Sequence, residues 1–177
     1  LKVLIAEPYD VPRRGLHAIF AQDPRVLNVH EVTTKEDLQT CIVSFQFDLI
    51  VVNQSLMIDI LMLKAKKFVV LTPHPDLKAF TDAYYSGALG YLSTNVSAEL
   101  LCTFLNPVQK SFLIEPTLGP WVMGTIFHLL YHFSGSQIGI YRKSLRSVLP
   151  GRNRANRAAK LYFVTEKLIM LILYLYK

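Results

Sequence analysis

Two apolar runs narrow the choice of fold more than anything else in the chain: Leu49 to Val52 in "DLIVVNQSL" and Phe68 to Leu71 in "FVVLT". A strand that covers one face of a sheet alternates apolar and polar residues. A strand buried on both faces reads as an unbroken Val/Ile/Leu-rich run, the signature of a parallel sheet covered by helices on both sides. Three further strand-like stretches, "KVLIA" (2–6), "RVLNVHEV" (25–32) and "GYLS" (90–93), complete a set of five. Helical patterns lie between and after them at 12–22, 34–45, 57–65, 76–87 and 97–105. In the second of these, Leu38, Cys41, Ile42 and Phe45 fall on one face of a helix. Thr34, with Asp37 three residues on, forms a near capping box, and Gly87 fits the residue that ends the fourth helix.

Strands alternating with helices imply an α/β domain with a parallel sheet, and right-handed crossovers leave few topologies. The flavodoxin-like five-stranded order 2-1-3-4-5 is the one expected. Its functional crevice lies beyond the carboxyl ends of the first, third and fourth strands, which brings Glu7, Asn53 and Thr72 together. "AEPYD" after the first strand has no glycines to let backbone amides wrap a pyrophosphate, which argues against nucleotide binding.

The segments "KVLIAEPYDVPRRGL", "FDLIVVNQS", "FVVLTPHPD" and "SGALGYLSTNVSAELL" resemble, in order and spacing, the receiver domain of bacterial response regulators of the LuxR type. The resemblance covers about residues 1–115. It implies a site where an aspartate after the third strand takes a phosphoryl group from a histidine kinase. Two acidic residues after the first strand hold magnesium there, and a Thr or Ser and a Lys bind the phosphoryl oxygens, since positioning and charge neutralisation carry such transfers.

Carried onto this chain, most of that chemistry is missing. The nucleophile position is Asn53, a neutral amide. The acidic pair reads Glu7-Pro8, and magnesium binding normally draws on one or two carboxylates within a near-octahedral oxygen set. The lysine position is Thr94. Thr72 and Tyr91 remain. Only 19 positions separate Asn53 from Thr72, where the family has roughly ten more, so a shortened third helix is expected. The expectation is a pseudo-receiver with a vestigial pocket formed by Glu7, Pro8, Asn53, Thr72, Tyr91 and Thr94, with no cofactor and no metal.

Charge divides the chain. Residues 1–135 carry 10 Lys/Arg against 12 Asp/Glu, and residues 136–177 carry nine against Glu166 alone, so −2 and +8 sum to the net +6. Such asymmetry points to a polyanion-facing segment. A domain boundary is expected near 112, with 113–177 a small all-helical domain and a divergent helix-turn-helix. Arg154, Arg157 and Lys160 form one helical stripe beginning near Arg152 and Asn153. Cations at a helix N-terminus oppose its dipole, so an anionic partner explains them better than helix stability does. DNA is the partner expected, although "GRNRANRAA" also echoes the end of LuxR-type domains, where it would lie outside the groove. The resemblance further implies a homodimer through the surface made by 76–87, 90–93 and 97–105, with Phe80, Tyr84, Tyr85, Tyr91, Leu101 and Phe104 on it.

Other features carry less. His128 and His132 have the i, i+4 spacing of zinc ligands, but no intervening Glu of the metalloprotease kind. No nucleophile, base and orienting group occur together, so the chain is not expected to be an enzyme. Cys41 and Cys102 read as small buried side chains of a reducing compartment, and a cytoplasmic location is expected. "LIMLILYLY" (168–176) is too short for the ~20 residues of a membrane span and fits a buried or protein-docking helix. A scaffold that docks on partner proteins without touching DNA is therefore the competing expectation.

Overall fold

The computed structural model describes residues 1–57, 63, 66–108 and 111–132, the last seven by backbone alone. Five strands, β1 (Lys2–Ala6), β2 (Asn28–Val32), β3 (Leu49–Asn53), β4 (Phe68–Thr72) and β5 (Gly90–Ser93), pair in parallel in the expected order. Helices α1 (Asp10–Ala21), α2 (Lys35–Ser44), α3 (Leu77–Tyr85) and α4 (Ala98–Thr103) lie between or after them. The third helical pattern, at 57–65, falls almost wholly outside the described residues.

The two uninterrupted runs behave as their composition requires. Every residue of β3 and β4 is buried. Successive strand residues face opposite sides, so Val3, Ile5, Leu49, Val51, Val69, Leu71 and Leu92 pack under Leu16 and Phe20 of α1 and Leu101 of α4. The alternate residues, including Val70 and Tyr91, face the other layer, where the Phe80 ring meets Tyr91 edge-on at 5.4 Å.

Local signals set the helix ends. Thr34 Oγ1 accepts the Asp37 amide at 3.1 Å and donates to its carboxylate at 2.7 Å, so the cap forms, but the shorter acid meets the hydroxyl and not the backbone N–H that a capping box bonds. Pro12 sits in the first turn of α1, where a missing N–H costs no helical bond. Gly87 takes φ +80° after α3, and the Ala88 amide reaches back to the Ala83 carbonyl at 3.0 Å. β2 starts at Asn28 and not at Arg25, because Asp23 turns the chain by accepting the Arg25 and Val26 amides on its side chain and carbonyl.

The expected five-stranded sheet requires correction. A sixth strand, β6 (Leu113–Ile114), pairs in parallel with β5, Leu113 opposite Gly90 and Ile114 opposite Tyr91. Two apolar residues followed by Glu115-Pro116 carry no strand period that a sequence could reveal. A 3-10 turn (Pro116–Leu118) follows, and the first compact unit runs from Leu1 to Gly119, past the boundary expected at 112. A second unit starts at Pro120; of it, the helix α5 (Gly119–His132) is described. No helix among the described residues is long and apolar enough to cross a membrane.

Candidate functional site

Parallel strands deliver their last residues to one edge of the sheet, and Glu7, Asn53 and Thr72 meet there, each almost wholly buried. Asn53 Nδ2 donates to Glu7 Oε2 at 2.7 Å. Its Oδ1 accepts both the Ser55 amide and the Ser55 hydroxyl, each at 2.9 Å. That pattern fixes the amide's orientation, since a flipped Asn53 would set its oxygen against a carboxylate and its NH2 against an N–H donor. Glu7 Oε1 accepts the Tyr9 amide at 3.0 Å, so both carboxylate oxygens are engaged. Bonds of this charge-assisted kind contribute about 1.5–3 kcal/mol each, and more is lost when one buried partner is removed.

Magnesium, which receiver chemistry uses, does not fit this donor set. Asn53 turns N–H hydrogens toward the shared space, Pro8 offers no carboxylate, and Glu7 would have to surrender two hydrogen bonds to turn toward a cation. Thr72 is also committed elsewhere, its hydroxyl donating to the His74 carbonyl at 2.5 Å. Thr94 is half-buried and its amide donates to the Thr72 carbonyl at 2.9 Å, which ties the ends of β4 and β5 together.

Tyr91 closes the site from β5. Its hydroxyl donates to Gln54 Oε1 at 2.6 Å and accepts the Asp76 amide at 3.1 Å, joining the end of β3 to the start of α3. Burial pushes its phenol above the ordinary tyrosine range, against the opposing effect of its hydrogen bonds to Asp76 and Thr72.

Three contributors escaped the sequence reading. Arg13 spans the loop after β1, donating to the Glu7 and Pro8 carbonyls at 3.1 and 3.4 Å and pairing with Asp10 and Glu31 at 2.8 and 3.1 Å. Gln54 accepts from Tyr91. Glu115 arrives from the added strand: its buried carboxylate accepts the Ser93 amide at 2.6 Å and the Thr117 hydroxyl at 2.8 Å. The segment "KVLIAEPYDVPRRGL" quoted above contains Arg13, whereas Glu115 left no signal because the short strand before it left none.

The surface expected to make a dimer also requires correction. Phe80, Tyr91, Leu101 and Phe104 are at most 1% exposed. They are core side chains: Phe80 from α3, Leu101 from α4 and Phe104 just after it face the sheet, and Tyr91 is a residue of β5 itself. Tyr84 is half-buried against Phe112, and only Tyr85, 53% exposed, presents a ring to solvent. Arg152, Asn153, Arg154, Arg157 and Lys160 lie outside the described residues. A cavity of about 430 Å³ opens at the opposite, amino end of the sheet, lined by Phe47, Asp48, Lys66, Lys67, Phe104 and Pro107 among others. It shares no residue with the crevice.

The fold agrees with a set of solved structures. A LuxR-family two-component response regulator from Aurantimonas sp. superposes with a TM-score of 0.56 at 15% identity, covering 67% of this chain and 92% of that one. The fold is that of a response-regulator receiver domain. A DNA-binding response regulator of the LuxR family from Staphylococcus aureus gives 0.53 at 13% identity, over 61% of this chain and 98% of that one. The N-terminal domain of a response regulator/sensory box/GGDEF protein from Carboxydothermus hydrogenoformans gives 0.51 at 19%, over 59% and 90%. At such identities the likeness is one of fold. No family model matches the chain, and no curated protein matches it in sequence. The receiver fold thus persists around a crevice whose buried centre is a glutamate bonded to an amide.

Proposed function

We propose that the chain is an atypical response regulator that works without aspartyl phosphorylation and performs no catalysis. The observation carrying this is the buried bond between Asn53 Nδ2 and Glu7 Oε2. An amide nitrogen donating to the carboxylate that would face the metal supplies neither a nucleophile nor a charge for magnesium to neutralise. Signals then reach the receiver fold through a protein partner or a second copy. The basic residues Arg152, Arg154, Arg157 and Lys160, with the polar Asn153, bind DNA and make the output transcriptional. Support for DNA is the charge division, +8 over residues 136–177, because phosphate contacts by Lys and Arg dominate nucleic-acid affinity.

Two measurements test this. Incubation with acetyl phosphate and magnesium, followed by intact-mass analysis, is expected to give no phosphoryl adduct; an adduct ends the proposal. Binding to random-sequence duplex is expected at low salt and to weaken steeply as salt rises. Absence of binding at low salt would remove DNA and favour a scaffold that docks on partner proteins, the reading that the apolar "LIMLILYLY" (168–176) supports.

A further inference from the structure

Residues 112–117 lie along the outer edge of β5 and grip it at three kinds of contact. The Phe112 ring packs edge-on against Phe80 at 5.7 Å and Tyr84 at 5.2 Å. Leu113 and Ile114 pair with Gly90 and Tyr91, and the Leu113 amide donates to the Leu89 carbonyl at 2.9 Å. Glu115 then accepts the Ser93 amide and is braced by Thr117. An aromatic slot, a short stretch of backbone pairing and a carboxylate on a free strand-end amide are the parts of a strand-addition site.

The β5 edge is shaped for that approach. A Cβ on Gly90 would stand 2.8 Å from the Phe104 ring and 3.0 Å from the Leu113 carbonyl oxygen. Glycine within a strand often marks such a place, where a second backbone must come close. What fills the edge is anchored at Glu115 and Leu118, both buried, and looser at its paired residues. Leu113 and Ile114 are only half-buried, against full burial throughout β4, and elements with few buried contacts open first.

We propose that the β5 edge is a strand-accepting groove whose fitted ligand is the segment 112–118, supplied in cis here and exchanged with the same segment of a second copy. All the contacts named above are made by the segment's own residues. A second copy's segment would reproduce each of them, which is what makes strand exchange a low-cost route to a dimer. The connection 106–111, after the buried Phe104 and Leu105, reaches about 20 Å if extended, enough to pass between closely apposed copies. This inference rests on the second-copy alternative named in the proposed function and gives it a physical route, and its tests involve neither DNA nor a phosphoryl group.

The first test uses the full chain carrying Phe112→Ala and Glu115→Ala together, with a labelled peptide of residues 111–119 (SFLIEPTLG) followed by fluorescence anisotropy. Saturable binding to the double variant is expected, with at least about tenfold weaker binding to the unsubstituted chain, whose own segment competes by mass action. A peptide with alanine at the position of Glu115 should bind more weakly still. Equal binding to both proteins, or none to a double variant with native circular dichroism, overturns the groove. Should the double variant not fold, amide exchange on the unsubstituted chain decides: the Leu113 and Ser93 amides are expected to exchange together and ~100-fold faster than Val70, and equal protection overturns the groove. Sedimentation between about 10 µM and about 1 mM is expected to show a monomer–dimer equilibrium that excess peptide returns to monomer; a monomer throughout overturns the exchange.

Discussion

Replacing Asn53 by Asp swaps the amide N–H that meets Glu7 for a second carboxylate, 2.7 Å from the first and as deeply buried. With both ionised, the Coulomb repulsion at an effective dielectric of 20 is about 6 kcal/mol. The folded variant escapes part of that by keeping one proton on the pair. At pH 7, protonating a carboxyl of ordinary pKa near 4.3 costs about 3.7 kcal/mol, which caps the penalty. The pair's folded pKa is raised, so its folded state binds more protons than the unfolded chain. The variant's deficit is therefore small near pH 4.5 and grows by about 1.4 kcal/mol per pH unit toward neutrality. Urea unfolding of both proteins at pH 5 and pH 7 measures this as a difference in midpoint at constant slope. The variant should be less stable than its parent by roughly 2–3.7 kcal/mol at pH 7, and by much less at pH 5. Two adjacent carboxylates also make a passable cation site. Millimolar magnesium should thus recover stability in Asn53→Asp and leave the unsubstituted chain unmoved. A variant as stable as its parent at pH 7, or magnesium stabilising the parent, would refute the account of the crevice.

Removing the Tyr91 hydroxyl with Tyr91→Phe strands the Asp76 amide and Gln54 and should cost about 1–3 kcal/mol by denaturant unfolding. Because burial raises the Tyr91 phenol, its share of stability is complete below the unfolded tyrosine pKa of about 10 and is lost as pH rises through the folded value; the Phe variant should lack that alkaline loss. Gly90→Ala forces a methyl against the Phe104 ring and the Leu113 carbonyl, and should cost about 1–3 kcal/mol while speeding amide exchange at Leu113. Hydrogen bonds from Arg25 bring Asp23 from 3.8 to about 2, so NMR titration should find its carboxyl ionised until about pH 2, and Arg25→Ala, which removes the guanidinium bonds and keeps the amide bond, should raise it part of the way back.

The uninterrupted runs at 49–52 and 68–71 settled the fold class by themselves, since only a doubly covered parallel sheet buries such strands on both faces. Their order followed from chain connectivity and the handedness of crossovers. The same order by itself places Glu7, Asn53 and Thr72 at one edge of the sheet. Side-chain direction was less legible: the resemblance placed Phe80, Leu101 and Phe104 on an outer face, and they proved to be core. Helical pattern alone cannot say which side of α3 or α4 meets the sheet when apolar residues occur on more than one side.

The sequence by itself determined the residue types at the crevice, above all an amide where a reactive carboxylate would stand, because chemistry is written residue by residue. Tertiary structure alone decided how those groups spend their hydrogen bonds. It set Asn53 Nδ2 on Glu7, Arg13 across the β1 loop and Glu115 on the Ser93 amide. Each of these bonds joins residues brought together by strand pairing or helix docking, and a linear pattern records neither distance nor direction. The sixth strand belongs to the same class. Two apolar residues form a strand only because β5 offers them an edge.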